Sequence, residues 1–218
     1  MVYINKISKN KFILAIHSTN DFFGFAYKDL NLNNINYNFY IKKLDLDLSK
    51  NLINCLSEFL NQKQVQSIER ISISVGPANF NASRQIIVCA RAISQEIKCP
   101  LDSYSSFQLM AKRIVCKNKI IQNNKPFWIV KKLKKRGYIA GKYKIQNHEN
   151  YNSNLHIQEM IKPKLYKEFL NQEYQFEAEY DIKDELNELL RFSFMNYKNL
   201  IHNNWEDVLP LYPIDPVN

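Results

Sequence analysis

The sequence predicts an α/β protein of two lobes, and three observations carry that prediction. Short apolar-aromatic runs with polar breaks fill the stretch from Phe12 to Ile41, and an amphipathic segment follows over 49–62. A β-branched strand, Ile71–Val75, then passes through Gly76-Pro77 into a second amphipathic segment over 82–97. Strand–helix–strand–helix order after a meander calls for a mixed sheet flanked by helices. The chain has 218 residues, 45% of them hydrophobic, enough for one large domain or two smaller lobes with real cores.

Each element has a local reason. FILAIH (Phe12–His17), FFGFAYK (Phe22–Lys28) and YNFYI (Tyr37–Ile41) read as strands, the first two joined by a tight turn at Ser18-Thr19-Asn20-Asp21. Leu52, Ile53, Leu56, Phe59 and Leu60 recur at helical spacing over 49–62, with Ser49 as a candidate N-cap. Ile71, Ile73 and Val75 alternate with serines, the pattern of a buried strand. From Ala82 a helical stripe runs through Ile86, Cys89, Ala90, Ile93 and Ile97. Pro100 stops that helix and sets Cys99–Ser103 as the lobe boundary, dividing 1–103 from a smaller lobe at 104–218. A helix near 105–116 carries Phe107, Leu109, Met110 and Ile114. Asn123–Pro126 is a turn, and Phe127–Leu133 pairs with Tyr138–Ile145 across Lys134–Gly137. Residues 148–154 read as a loop. A helix over 181–196 presents Leu186, Leu189, Leu190, Phe192 and Phe194, before an extended, proline-punctuated tail at 208–217.

Composition narrows the function classes. The net charge of +9 and pI near 9.2 suit an anionic partner such as RNA. Abundant Asn, Lys, Ile, Tyr and Phe beside only 4 Gly also fit an AT-rich genome, which supplies lysine without selection for binding. Cys55, Cys89, Cys99 and Cys116 form no CxxC pair, so buried reduced thiols are expected rather than a zinc site or a disulfide scaffold. His17, His148, His156 and His202 form no HxxxH pair. No apolar run approaches the ~20 residues of a membrane span, and no secretory segment is visible. A soluble, cytoplasmic protein is expected.

The stretch Ile71–Arg84, ISISVGPANFNASR, is where chemistry is sought first. A strand–loop–helix corner is a frequent phosphate cradle, because helix N-termini expose N–H groups. This one is neither a Walker A loop nor a Rossmann loop. His17, at the end of an apolar strand, could face a nucleotide or simply end its strand. The carboxylates of Glu173–Glu188 read as a solvated acidic face, and no nucleophile–base triad emerges from spacing. Catalytic and metal-binding sets are therefore not expected. Lys131, Lys132, Lys134, Lys135 and Arg136, beside Trp128 and Tyr138, are candidates for RNA contact; a solvated hairpin tip is the plainer reading.

Two motifs carry a resemblance. Ile13–Thr19 reads ILAIHST and resembles the ILAIDTST strand of the TsaB (YeaZ) family; Gly76–Arg84, GPANFNASR, is similar to that family's GPGSFTGLR, with Gly76, Pro77, Phe80 and Arg84 in register. The tail at Pro210–Pro216 has a similar PLY flavour. The resemblance implies the actin-like, Hsp70-like, sugar-kinase (ribonuclease H-like) fold. It also implies a non-catalytic subunit that supports TsaD, which transfers threonylcarbamoyl to adenosine 37 of tRNA. Partners would be TsaD in a heterodimer and the ATPase TsaE, with tRNA touched indirectly or weakly, and a homodimer when the chain is alone. His17 stands where the family's strand has an aspartate, and Ala78 and Ala82 replace two loop glycines. These departures imply no cofactor and a degenerate nucleotide site. Leu52, Leu56, Ser83, Ile86, Cys89, Ala90 and Ile93 are the expected partner interface. Alternatives are an active small ATPase or kinase of the same fold class, a stand-alone RNA-binding protein and a metalloprotease.

Overall fold

A computed structural model describes residues 11–30, 37–44, 48–119, 125–146, 155–168 and 174–213, without the Ser49 side chain. The helix α1 begins at Leu48, so Ser49 stands inside it and does not cap it; the loop at 148–154 and the last residues of the tail lie outside the described residues. The elements run β1 (Phe12–Ser18), β2 (Phe22–Asp29), β3 (Tyr37–Lys43), α1 (Leu48–Phe59), α2 (Gln62–Val65), β4 (Ile68–Ser74) and α3 (Phe80–Ile97). They continue with β5 (Leu101–Tyr104), α4 (Ser106–Lys117), β6 (Phe127–Leu133), β7 (Gly137–Gln146), β8 (His156–Tyr166), β9 (Gln175–Glu177) and α5 (Ile182–Lys198).

The first sheet has the order β3-β2-β1-β4-β5. Its β1–β2–β3 meander is antiparallel, while β1–β4 and β4–β5 are parallel. β1 is buried along its whole length, which explains a near-continuous apolar run instead of alternation. Its pleat sends Phe12, Leu14 and Ile16 to one side, where α1 and α3 pack. Ile13 and Ala15 point to the other, into a core with Leu186, Leu189 and Leu190 of α5. His17 follows the same parity, and that decides its environment. The last long helix thus covers the first sheet, bringing Glu185 of α5 to His17 of β1 across 168 positions in sequence. The second sheet, β8-β7-β6-β9, packs its inner side on α4 through Phe107, Met110 and Ile114.

Helix ends match their caps. Asn79 accepts from Ala82 N, starting α3 two residues earlier than its apolar stripe suggested. Asp181 accepts from Lys183 N and Asp184 N at the start of α5. Asp181→Ala should lower stability by about 1 kcal/mol, read as a fall in the urea midpoint with unchanged slope.

Three expectations are corrected. Leu101–Tyr104, read as a boundary loop, is edge strand β5: four residues are too few to show a period, but Ile71 N donates to Pro100 O and the pairing continues to Tyr104. β8 was not foreseen because Pro163 and the polar side chains of Gln158, Glu159, Lys162 and Lys164 blur its alternation. The carboxylates of the α5 region are not all solvated, since Glu185 and Glu188 are buried. Glu188 is held by Lys112 and Arg191.

Candidate functional site

Three places gather the residues singled out in the sequence: the Gly-Pro corner, the end of β1, and the outer side of α1 and α3.

At the corner, Gly76 has φ +99°, a backbone that strains any side chain, and precedes a cis Gly76–Pro77 peptide. The chain itself occupies the corner's carbonyl oxygens. Leu211 N donates to Val75 O at 2.9 Å, Ser106 N to Gly76 O at 2.8 Å, and the Tyr180 hydroxyl to Pro77 O at 2.6 Å. Burial holds the Tyr180 phenol above its usual pKa, so it stays a donor. Tyr212 packs on Phe80 at 5.3 Å between ring centroids, and Arg84 lies over the same ring. A cavity of about 170 Å³ is left among Pro77, Ser83, Lys131 and the tail. Ala82 is buried in the first core, so its Cβ faces the sheet and does not crowd the open side of the loop.

At the end of β1, His17 is fully buried and its Nε2 meets Glu185 Oε2 at 2.5 Å. Glu185 is also fully buried; its other oxygen accepts from Asp181 N at 3.0 Å and Arg113 at 3.3 Å. The imidazole therefore ties the sheet to α5. The adjoining β1–β2 turn satisfies itself, with the Thr19 hydroxyl accepting from Asp21 N and Phe22 N. A nucleotide phosphate at this strand end would meet partnered groups and a buried carboxylate. Among the described residues, no group of three or more His, Cys, Asp or Glu is placed to hold a metal ion.

On the helical face, Leu52, Leu56, Ser83, Ile86, Cys89 and Ala90 are buried against the chain's own sheet, and Ile93 packs on the same core. The stripe that defines an amphipathic helix is the one its own core claims first. What faces outward lies one step round: Ile53 is 55% exposed and Val88 68%, with Arg84 and Ala92 beside them. Leu52 and Cys89 form the floor of a groove of about 570 Å³ between α1 and α3.

The basic segment divides as well. Lys131 turns inward, donating to Asn20 Oδ1 at 3.1 Å and lying 4.9 Å over the Tyr180 ring, and burial lowers its pKa. Lys132, Lys134, Lys135 and Arg136 stay exposed around the β6–β7 turn.

Burial raises the Cys89 and Cys99 thiols to about 11 from 9.0. A folded-state pKa above the unfolded one means the native state keeps its proton longer. That contribution is whole below pH 9 and is lost as pH rises toward 11. Urea midpoints should fall across this window, and a Cys89→Ala, Cys99→Ala variant should show a shallower fall. At neutral pH, alkylation of the native protein should mark exposed Cys116 first.

No family model and no curated protein matches this sequence. Solved structures do match. YeaZ from Pseudomonas aeruginosa superposes with a TM-score of 0.61 at 13% identity, over 93% of this chain and 99% of that one. An uncharacterized protein with similarity to peptidase YEAZ, also from Pseudomonas aeruginosa, gives 0.62 at 12% identity, over 94% and 100%. Among the described residues no helix is long and apolar enough to cross a membrane. Two mixed sheets flanked by helices give this chain the fold of YeaZ, to which it is similar over 93% of its length.

Proposed function

We propose that this chain is a non-catalytic, TsaB-type subunit that binds and supports a TsaD partner in threonylcarbamoyl transfer to tRNA. The end-to-end likeness to YeaZ carries this reading. The retained frame of Gly76, Pro77, Phe80 and Arg84 and the exposed apolar groove between α1 and α3 support it. The groove offers what a helical partner needs: apolar side chains clear of the core, with polar Asn81 and Gln85 at the edge. An active kinase or ATPase is disfavoured by chemistry, because imidazole supplies no anionic oxygen for Mg²⁺ and His17 is already engaged by Glu185.

The deciding experiment is co-expression with the cognate TsaD followed by size-exclusion chromatography. A one-to-one complex at micromolar concentration is expected, and depletion of this chain in its host should lower threonylcarbamoyladenosine in tRNA. Absence of any complex at that concentration rejects the reading.

A further inference from the structure

The outer face of the second sheet is a charged surface that the partner groove does not use. Residues 127–146, which contain β6 and β7, hold seven Lys or Arg and neither Asp nor Glu. β8 adds Lys162 and Lys164, and its carboxylate, Glu159, points inward to Ser105 and Tyr143. Strand register sorts the rest. Trp128 lies opposite Lys142, and Lys132 opposite Tyr138. Tyr138 in turn faces Tyr166, and Ala140 faces Lys164. Directly opposed residues share a face, so lysines and aromatic rings interleave on the side away from α4.

The rings are held in place. Trp128 and Tyr166 pack edge to face at 6.0 Å, Lys142 Nζ lies 5.4 Å from the Trp128 ring centre, and Lys164 Nζ 5.4 Å from that of Tyr166. Exposed cation–π contacts are weak and exchange readily, so a lysine can swing from ring to phosphate while a base takes its place. Among the described residues, Lys132, Lys142, Lys144 and Lys164 form no ion pair, whereas Lys112, Arg113 and Lys117 near α5 are each matched by carboxylates. Glu177 on β9 is the acidic side chain of this face. The positive excess of the chain is therefore concentrated where flat rings are also presented.

We infer that this face binds RNA, with unpaired nucleotides stacking on Trp128 and Tyr166 and their phosphates held by Lys132, Lys142, Lys144 and Lys164. A four-stranded sheet with outward aromatics is a geometry that suits single-stranded bases. Several cations spread over one sheet face suit a phosphate chain rather than a single anion. The inference does not depend on the α1–α3 groove holding a partner.

The test uses the full chain alone, an unmodified tRNA transcript, and a single-stranded RNA oligonucleotide. Lys142→Gln, Lys144→Gln, Lys164→Gln together are compared with Lys63→Gln, Lys98→Gln, Lys198→Gln, which remove the same charge elsewhere. The first triple should weaken binding about tenfold or more near 0.1 M salt and reduce the slope of log affinity against log salt by roughly two to three. The second should change both little. Trp205→Phe leaves Trp128 as the single tryptophan, whose emission should be quenched by the oligonucleotide; Trp128→Ala should lose about tenfold in affinity. Circular dichroism checks folding, and Trp128→Phe should retain most binding. Equal losses in the two triples, absence of quenching, or binding of anionic vesicles without RNA would each overturn the inference, whatever the outcome with TsaD.

Discussion

Replacing His17 with Asp should lower stability by about 3–5 kcal/mol and create no nucleotide site. The substitution restores the residue that the family resemblance places at the end of the first strand, so nucleotide binding is the intuitive outcome. The surroundings of His17 oppose it. Glu185 Oε2 lies 2.5 Å from the imidazole, and both side chains are fully buried. A second carboxylate there would face the first without water between them, and like charges at that range cannot both ionise. The cost is comparable to a large part of a domain's stability of about 5–15 kcal/mol. Chemical denaturation of His17→Asp, Glu185→Gln and the double variant measures it. The double variant should recover part of the loss, because an amide opposite a carboxylate can donate where a carboxylate cannot. A stable His17→Asp protein that binds ATP and Mg²⁺ in calorimetry would refute both the clamp and the scaffold reading.

Val88→Asp with Ile53→Asp should weaken TsaD binding by about 2 kcal/mol or more, roughly thirtyfold, with stability changed little. Both side chains are exposed, so a charge there is harmless in the free protein and is desolvated only under a partner. Ile86→Ala should do the opposite. Ile86 is fully buried on the first sheet, and its truncation should cost about 2–5 kcal/mol of folding stability while leaving partner affinity in the surviving folded protein. Titration calorimetry with TsaD, paired with urea melts, separates the two effects. If Ile86→Ala weakened the complex more than the Val88 and Ile53 pair, the docking surface would lie elsewhere than the outer side of α1 and α3.

The reason the residues expected at an interface are buried in the chain's own core is general. Apolar spacing reveals which residues a helix must bury but not against what. In α3 the stripe through Ile86, Cys89 and Ala90 is taken by the first sheet. Val88 and Ala92, unremarkable in a sequence, are left to face outward. The basic segment shows the same limit. Five of the six positions Lys131–Arg136 carry the same charge, yet strand parity turns Lys131 toward Asn20 and Tyr180 and Lys132 to the opposite side. The basic outer face of the second sheet had a signal: an uninterrupted lack of Asp and Glu from 127 to 146. Register was needed to see that Lys164 and Tyr166 join the same surface.

Local composition alone determined the two-lobed α/β class, most helices and strands, and the Gly-Pro corner with its family resemblance. These depend on periodicity and on backbone preferences of a few residues in a row, which short-range physics dictates. Tertiary structure decided the meaning of His17. Its partner, Glu185, lies 168 positions away in sequence, and only the packing of α5 on the first sheet brings the two together. The same long-range packing brings Leu211 and Tyr180 onto the Gly-Pro corner. Contacts between distant segments leave no period in a sequence, so nothing in it announces that Tyr180 and Leu211 take up carbonyl oxygens of the corner.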